Sequence, residues 1–337
     1  MNELERAWSA LTSEGRTEPG WHSRRIAPAA PCSVRAAVRP TGVRGLLVDV
    51  HAAAIPAGAD YPACAGFSVI PETVAPGPGG SVRLTLEERG SGYGDIFTAM
   101  STDVVRRASA TTTDATFVAM LLSRLAVWQR FASKFGPGIL SEEARTGLAG
   151  ELLFLDRIVL ARLPPLQAMA AWTGPGGIPQ DFRFPGCYVE IKASIAASPS
   201  TMRISNLEQL DGAAGLPLFL CHLSLSLTGR DALSLPDLVE AVKARLEAEG
   251  DGSAEMLEDR LAGAGYLAVH ASHYRTQTYD LERLICHRLT GAFPRLTPAT
   301  VPQGITGATY ALSIAACQDW VVDESECTRL IGDLIDV

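Results

Sequence analysis

The chain has 337 residues, of which 47% are hydrophobic and 20% charged, and its net charge is −8. This apolar content is enough for a large core or about two domains, and it excludes a largely disordered chain. The acidic balance argues against a protein that coats nucleic acid, but it does not exclude a nuclease with a single basic groove. Because no apolar run reaches the ~18 residues of a membrane span and no secretion signal opens the chain, we expect a cytoplasmic protein without membrane contact.

The first region, 1–135, predicts a β-rich domain that ends in a long helix. An initial helix, LERAWSAL, is followed from 26 to 89 by short alternating segments separated by Pro and Gly, which is typical of an antiparallel sheet. PGPGGS at 76–81 predicts a hairpin loop, and GSGYGDIF at 90–97 predicts a turn. The helix at 111–135 has a threonine N-cap, Thr112 or Thr113, and apolar residues at helical spacing.

The second region, 136–228, predicts an α/β core. A helix, three strands, a helix and a strand are predicted at 141–161, 167–172, 180–184, 187–194, 205–211 and 216–227. The third region, 229–337, predicts helices to about 264 and then strand-like segments. The expected fold class is therefore α/β, in the α+β sense, with a β-rich N-terminal region, an α-β-β-β-α-β core and a helical, then mixed, C-terminal region.

Three acidic residues and one lysine in the second region are candidates for chemistry. Alternate side chains of a strand share a face, so Glu190 and Lys192 in CYVEIKAS lie side by side, about 6–7 Å apart. A hairpin would place Asp181, from QDFRF, next to Glu190, and Glu151 stands on a mostly apolar helix in GLAGELLFL. Each residue alone is also typical of a surface ion pair, a turn or an exposed helix edge. Together these carboxylates can hold Mg²⁺, which prefers oxygen ligands.

Motifs of several other enzyme classes are absent from the sequence. No GxSxG, HExxH or Walker sequence is present, so serine-hydrolase, zinc-protease and autonomous ATPase activities are not expected. The seven cysteines form no CxxC pair, so reduced core thiols are expected rather than a structural zinc site. A thiol enzyme would need Cys221-His222 or Cys286-His287 to meet partners in space, and core packing is the better interpretation.

The order of these elements resembles the core of the PD-(D/E)XK nuclease superfamily, the restriction-endonuclease-like fold. The stretches GLAGELLFL, AWTGPGGIPQDFRF, VEIKAS and RISNLEQL are similar to a bacterial family of otherwise unknown function that is placed in this superfamily. The similarity continues through YRTQTYDLERLI, GAFPRLTPATVPQGI and ATYALSI, so it covers most of the chain. Gln180 stands where the superfamily's name has Pro, a position at which that Pro is often replaced.

The resemblance implies a divalent-metal-dependent phosphodiesterase, and we expect a DNA endonuclease of restriction or phage defence. Asp181 and Glu190 would hold Mg²⁺, or Mn²⁺ in its place, with the carbonyl of Ile191 as a third ligand. Lys192 would orient the attacking water and offset charge on the phosphate. Glu151 would bind a second metal ion, directly or through water.

Polar residues after the core strand are expected to face the metal site or the DNA backbone. These are Ser194, Arg203 and Gln209, of which Arg203 could contact phosphate. A capping box from Ser205 to Glu208 is an alternative use of this segment.

Two other functions stay open at this point. The alternative is a catalytically inactive binding or assembly subunit that has kept the fold, which the acidic charge favours, and RNA processing would use the same chemistry as DNA cleavage. Expected partners are DNA and other defence proteins, and a homodimer is expected because many nucleases cut both strands as dimers.

Overall fold

The computed structural model describes residues 2–75, 79–195, 200–212 and 215–332. The chain divides into two compact units, 1–138 and 139–337. Within the described ranges, every helix is too short or too polar to span a lipid bilayer.

The first unit contains an antiparallel sheet whose strand order, in the described residues, is β1-β2-β3-β5-β4. Its elements are α1 (Glu3–Ser13), β1 (His22–Ile26), β2 (Ser33–Val38), β3 (Arg44–His51), β4 (Phe67–Ala75), β5 (Ser81–Glu88), α2 (Gly94–Ala108) and α3 (Asp114–Phe135). Side chains alternate along the strands, and Leu46, Val48 and Leu84 are fully buried. The β-rich first region is therefore confirmed.

Helix α3 begins at one of its two predicted caps. The Thr113 side chain accepts a hydrogen bond from the Thr116 N–H at the start of α3, so Thr113 is the cap of the two candidates. The turn predicted at 90–97 is confirmed only for its first half, because helix α2 begins at Gly94. Residues 76–78 of the predicted hairpin loop lie outside the described residues, while β4 and β5 on either side pair antiparallel.

The second unit contains a mixed sheet with helices on one face. Its elements are α4 (Glu142–Phe154), α5 (Pro165–Ala171), β6 (Phe182–Arg183), β7 (Tyr188–Ser194), β8 (Thr201–Ile204), β9 (Leu218–Ser226), β10 (Leu233–Ser234), α6 (Leu235–Glu247), α7 (Ser253–Gly263), α8 (Ala271–Tyr274), β11 (Thr278–Arg288), β12 (Tyr310–Ser313), β13 (Val321–Val322) and α9 (Glu324–Gly332). The strand order is β10-β11-β9-β7-β6, β13 pairs with β11, and β8 pairs with β12 in a separate ladder. The β7–β9 pair is parallel.

The sequence predicts a further boundary after 228, and the structure has none there. β9, from the second predicted region, pairs with β11, from the third, over most of the length of both strands. The two regions therefore share one sheet and one unit.

The sheet separates two cores. Val189 and Ile191 of β7 enter the core shared with α4 and α6. Tyr188 of the same strand enters a second core, which β8 and β12 cover. Since side chains alternate along a strand, Glu190 and Lys192 share the face of Tyr188. Helices and strands are thus mixed as predicted, which confirms the α/β fold class.

Two predicted elements of the region 136–228 are wrong. The segment predicted as a strand at 167–172 is mostly helix α5, because Pro165 presets the first helical turn and the following Leu, Ala and Met residues favour a helix. The segment 205–211, predicted as a short helix, is a turn. The Asn206 side chain accepts hydrogen bonds from the Glu208 and Gln209 N–H groups, which satisfies this backbone without a helix.

Candidate active site

The β6–β7 hairpin brings two of the predicted acidic residues together. Phe182 pairs with Val189, so Asp181 and Glu190 are the next positions in register. The Ile191 N–H donates a hydrogen bond to Asp181 Oδ2 at 2.8 Å. The short hairpin therefore fixes the Asp181 carboxylate against β7, beside the Glu190 position.

Helix α4 and the segment after α5 add the third carboxylate. Trp172 is fully buried, and its Nε1–H donates to Glu151 Oε2 at 2.7 Å. The Thr173 and Gly174 N–H groups both donate to the Asp181 carbonyl, at 2.8 and 3.0 Å. A Cβ atom placed on Gly174 would lie 2.6 Å from Asp181 Oδ1 and 3.4 Å from Glu151 Oε2. Both carboxylates therefore border the same small space, and a side chain at 174 would fill it.

Glu190 is the most deeply buried of the acidic residues. Its side chain is 1% exposed, and Lys192 Nζ lies 2.8 Å from its Oε1. Despite that ion pair, neither Glu190 oxygen accepts a hydrogen bond of good geometry from the described residues. Asp181, Glu151 and Lys192 are half-buried, so one side of the site is open to solvent.

Burial, and for the two glutamates also the crowding of negative charge, makes the carboxylates hold their protons more tightly. Burial raises the pKa of Asp181 to about 6, although the Ile191 N–H and the Lys192 charge oppose the rise. Burial, and then the Asp181 charge, raise the pKa values of Glu151 and Glu190 well above their usual range. Three carboxylates face one ammonium group, so this site lacks positive charge.

Lys192 is held from two sides. Besides Glu190, its Nζ has Gln209 Oε1 at 3.4 Å, and that oxygen also accepts the Ser205 N–H at 2.8 Å. Burial alone would lower the pKa of Lys192, but Glu190 and the other two carboxylates outweigh it and raise the pKa. Lys192 is therefore a protonated hydrogen-bond donor at neutral pH.

The structure brings Gln209 to the carboxylates and Lys192, but gives Ser194 and Arg203 other contacts. Ser194 Oγ lies 2.9 Å from His222 Nε2 on the neighbouring strand. Arg203 forms an ion pair with Glu143 at 3.2 Å, in which both side chains are exposed. The predicted Ser205 capping box is absent, since the Ser205 N–H donates to Gln209 rather than to Glu208.

The donor set fits a hard divalent cation. Carboxylate oxygens and the Ile191 carbonyl are the ligand types that Mg²⁺ prefers, and Glu190 Oε2, which accepts no hydrogen bond of good geometry from the described residues, is available to bind. The ligand atoms of Glu151, Asp181 and Glu190 do not all lie within 4.8 Å of one another in the described structure. A shared ion would therefore draw these side chains closer together.

Two residues of the site were missed in the sequence. Trp172 lies in AWTGPGGIPQDFRF, one of the stretches that carry the family resemblance, but only the structure shows that its indole holds Glu151. Gln180 is 3% exposed, and its Nε2 donates to the Glu208 carbonyl at 2.8 Å, so it ties the Gln209 turn to β6. The substitution of Pro by Gln in the family motif was the available signal for this role.

A comparison with known protein families identifies the family of the chain. Residues 4–315 match the model of a family described as "Putative PD-(D/E)XK family member, (DUF4420)". No curated protein and no solved structure matches the chain. Members of the PD-(D/E)XK superfamily typically use divalent metals. Because the match covers most of the sequence, the chain belongs to this PD-(D/E)XK family.

Proposed function

We propose that the protein is a divalent-metal-dependent endonuclease that hydrolyses DNA phosphodiester bonds in bacterial restriction or phage defence. The observation that carries this proposal is the buried Glu190: Lys192 Nζ lies 2.8 Å from its Oε1 as an ion pair, and its Oε2 accepts no hydrogen bond of good geometry from the described residues. A purely structural carboxylate is normally supplied with donors, because an unsatisfied buried charge is costly. A carboxylate that binds a metal ion has to keep at least one oxygen available as a ligand.

Mg²⁺ is the proposed ion, with Mn²⁺ as a substitute. Asp181, Glu190 and the Ile191 carbonyl would hold it, and Glu151 would serve a second ion directly or through water. When bound, such an ion acts as a Lewis acid and makes its bound water a better nucleophile. Trp172 keeps Glu151 turned toward Asp181 by its hydrogen bond.

Lys192 acts in this proposal as a donor and not as a proton acceptor, because the carboxylates keep it protonated. Its ammonium group would orient the attacking water and offset the charge that builds up on the phosphate. Gln209 provides a second acceptor for that ammonium group besides Glu190. Arg203 and Ser194 are proposed contacts to the DNA backbone, and the exposed Arg203–Glu143 pair is weak enough to exchange for phosphate.

The deciding experiment is cleavage of supercoiled, linear and single-stranded DNA, and of RNA, with Mg²⁺ or Mn²⁺. We expect DNA cleavage by the wild type, and a fall of at least about 100-fold for Asp181→Asn and Lys192→Met. Glu282→Gln removes an exposed carboxylate from β11 and serves as the matched control. Cleavage that is indifferent to the first two substitutions would refute the assignment.

Other outcomes identify the alternatives. Cleavage of RNA alone would replace the substrate class while leaving the chemistry in place. Binding of DNA or a protein partner without cleavage, equal in wild type and Asp181→Asn, would indicate the non-catalytic subunit. Sedimentation of the active protein tests whether two copies are needed to cut both strands.

A further inference from the structure

Three cysteines from separate elements meet inside the second unit. Cys221 on β9, Cys286 on β11 and Cys327 on α9 are 0%, 1% and 0% exposed. Cys221 Sγ lies 3.2 Å from Cys286 Sγ and 4.0 Å from Cys327 Sγ. All three sulfur atoms lie within 4.8 Å of one another. We call this group the cysteine cluster.

The fold, and not any local motif, assembles the cysteine cluster. Cys221 stands 65 positions before Cys286 and 106 before Cys327, so no metal-binding spacing is visible in the sequence. The β9–β11 register pairs Cys221 directly with Cys286, and α9 supplies Cys327. Cys221 is also in register with Ile191, which places the cluster on the opposite face of the sheet from Glu190 and Lys192. The cluster is therefore distinct from the carboxylate site.

We propose that the cysteine cluster binds one soft, thiophilic metal ion of the Cu⁺ class through three thiolates. Around a three-coordinate ion with sulfur ligands at about 2.3 Å, neighbouring sulfur atoms are roughly 4.0 Å apart. The Cys221–Cys327 distance of 4.0 Å matches that value, and the Cys221–Cys286 distance of 3.2 Å is shorter, so small side-chain adjustments are enough to seat an ion.

The number of ligands selects the class of ion. A structural Zn²⁺ site takes four ligands, and in the described part of the chain the cluster contains three. The complete burial of all three side chains leaves no open position for water. Thiolate ligands favour Cu⁺, which needs no fourth ligand, over hard cations such as Mg²⁺.

Binding would be coupled to folding. Each thiol that becomes a ligand releases its proton to solvent, so the centre carries net negative charge inside an apolar core. Buried thiols are also closed to exchange with solvent. The ion is therefore expected to enter while the core is still open, and then to fasten α9 to β11.

The test is to refold the full chain without oxygen in the presence of Cu⁺ or Zn²⁺, followed by removal of loosely held metal with a competing chelator. We expect one retained Cu⁺ per chain, three sulfur neighbours by X-ray absorption, and a higher melting temperature than the metal-free chain. Cys221→Ser and Cys327→Ser should lose the ion. Cys317→Ser, which changes an equally buried thiol in the other core, should keep it.

Wild type that retains no Cu⁺ after refolding overturns the proposal, and this result does not depend on whether any variant folds. Retention by Cys327→Ser, shown to be folded by circular dichroism, also overturns it. Zn²⁺ held with four ligands in preference to Cu⁺ would overturn the three-coordinate assignment. Because the readouts are metal content, sulfur count and melting temperature, none of them depends on nuclease activity.

Discussion

At the scale of single residues, the positive charge of Lys192 offsets the repulsion among the three carboxylates of the site. Replacing it with Met leaves three crowded carboxylates without their ammonium partner. We expect Lys192→Met to lower the free energy of unfolding by roughly 2–3 kcal/mol at pH 8, because a buried pair that loses one partner leaves an uncompensated charge. The loss should shrink at about pH 5, where the carboxylates take up protons. Chemical denaturation of the metal-free protein measures both values.

Lys243→Met is the matched control. Lys243 pairs with Glu258 at 3.3 Å, but both side chains are about one-third exposed, at 32% and 28%. An exposed pair of this kind contributes about 1 kcal/mol or less. Equal losses of unfolding free energy in the two variants would show that Lys192 contributes no more to stability than a surface lysine.

Glu190→Gln is expected to act in the opposite direction to Lys192→Met. It removes one negative charge from a group that has too many, and Asp181 and Glu151 still balance the lysine. The metal-free protein should therefore unfold at equal or higher denaturant concentration than wild type. Calorimetry should at the same time show weaker Mg²⁺ binding, since a ligand has been lost. Destabilisation of the metal-free variant by more than about 1 kcal/mol would contradict the idea that Glu190 is kept for binding.

Trp172 donates a hydrogen bond to Glu151, so its substitution should also change the properties of the site. Trp172→Phe removes the N–H that lowers the pKa of Glu151. We expect a loss of about 1–3 kcal/mol in stability and a shift of Mg²⁺ binding toward higher pH. Trp320→Phe, whose indole donates to a backbone carbonyl at a more exposed position, should leave the pH dependence of binding unchanged. If the pH dependence of Mg²⁺ binding is unchanged in Trp172→Phe, Trp172 does not support Glu151 as a metal ligand.

At the scale of elements, substitutions at two glycines of α4 distinguish the effect of helix propensity from the effect of close packing. A Cβ atom on Gly150 would lie 2.5 Å from the Cβ of Ala193 on β7, whereas one on Gly147 would meet nothing within 4 Å. Alanine at either position gains about 1 kcal/mol of helix propensity. At Gly150 the clash with a neighbouring Cβ, fixed to its own backbone, costs about 1–3 kcal/mol and should outweigh that gain.

We therefore expect Gly147→Ala to raise the free energy of unfolding by up to about 1 kcal/mol and Gly150→Ala to lower it. Denaturant titration of the two variants beside wild type gives both signs in one experiment. A stabilising Gly150→Ala would mean that α4 can move away from β7 without penalty. Of the two glycines, only Gly150 is required for the close approach of α4 to β7.

The same elements show what the sequence can predict. The Asp181–Glu190 pairing was accessible because a two-strand hairpin fixes register by turn and alternation. Helix α5 and the turn at 205–211 were not, since side chains such as Asn206 can satisfy a backbone in more than one way. The indole of Trp172 and the cysteine cluster depend on contacts between distant segments, which no local pattern records.

At the scale of the whole molecule, paired and crowded carboxylates make stability respond to pH in opposite ways. Asp103 in the first unit is buried, but hydrogen bonds from Trp128 and Arg107 and the charge of Arg124 lower its pKa. Its contribution is therefore present above its usual pKa of 3.8 and lost only on acidification. Asp181 behaves in reverse, since its pKa rises from 3.8 to about 6. Between these values the folded state holds a proton that the unfolded state has released, so stability falls as the pH rises.

The metal-free protein should accordingly melt at a lower temperature at about pH 7.5 than at about pH 5, and the part of the change that comes from Asp181 should lie between pH 3.8 and about pH 6. Asp181→Asn should flatten this dependence, because the amide does not titrate, while Asp156→Asn at a surface ion pair should not. Mg²⁺ should reverse the trend, since it binds the deprotonated carboxylates and its stabilising effect grows through the same pH range. Melting curves across this range, with chelator and with Mg²⁺, test both signs. A metal-free protein whose melting temperature rises with pH would show that the three carboxylates are already compensated in the fold.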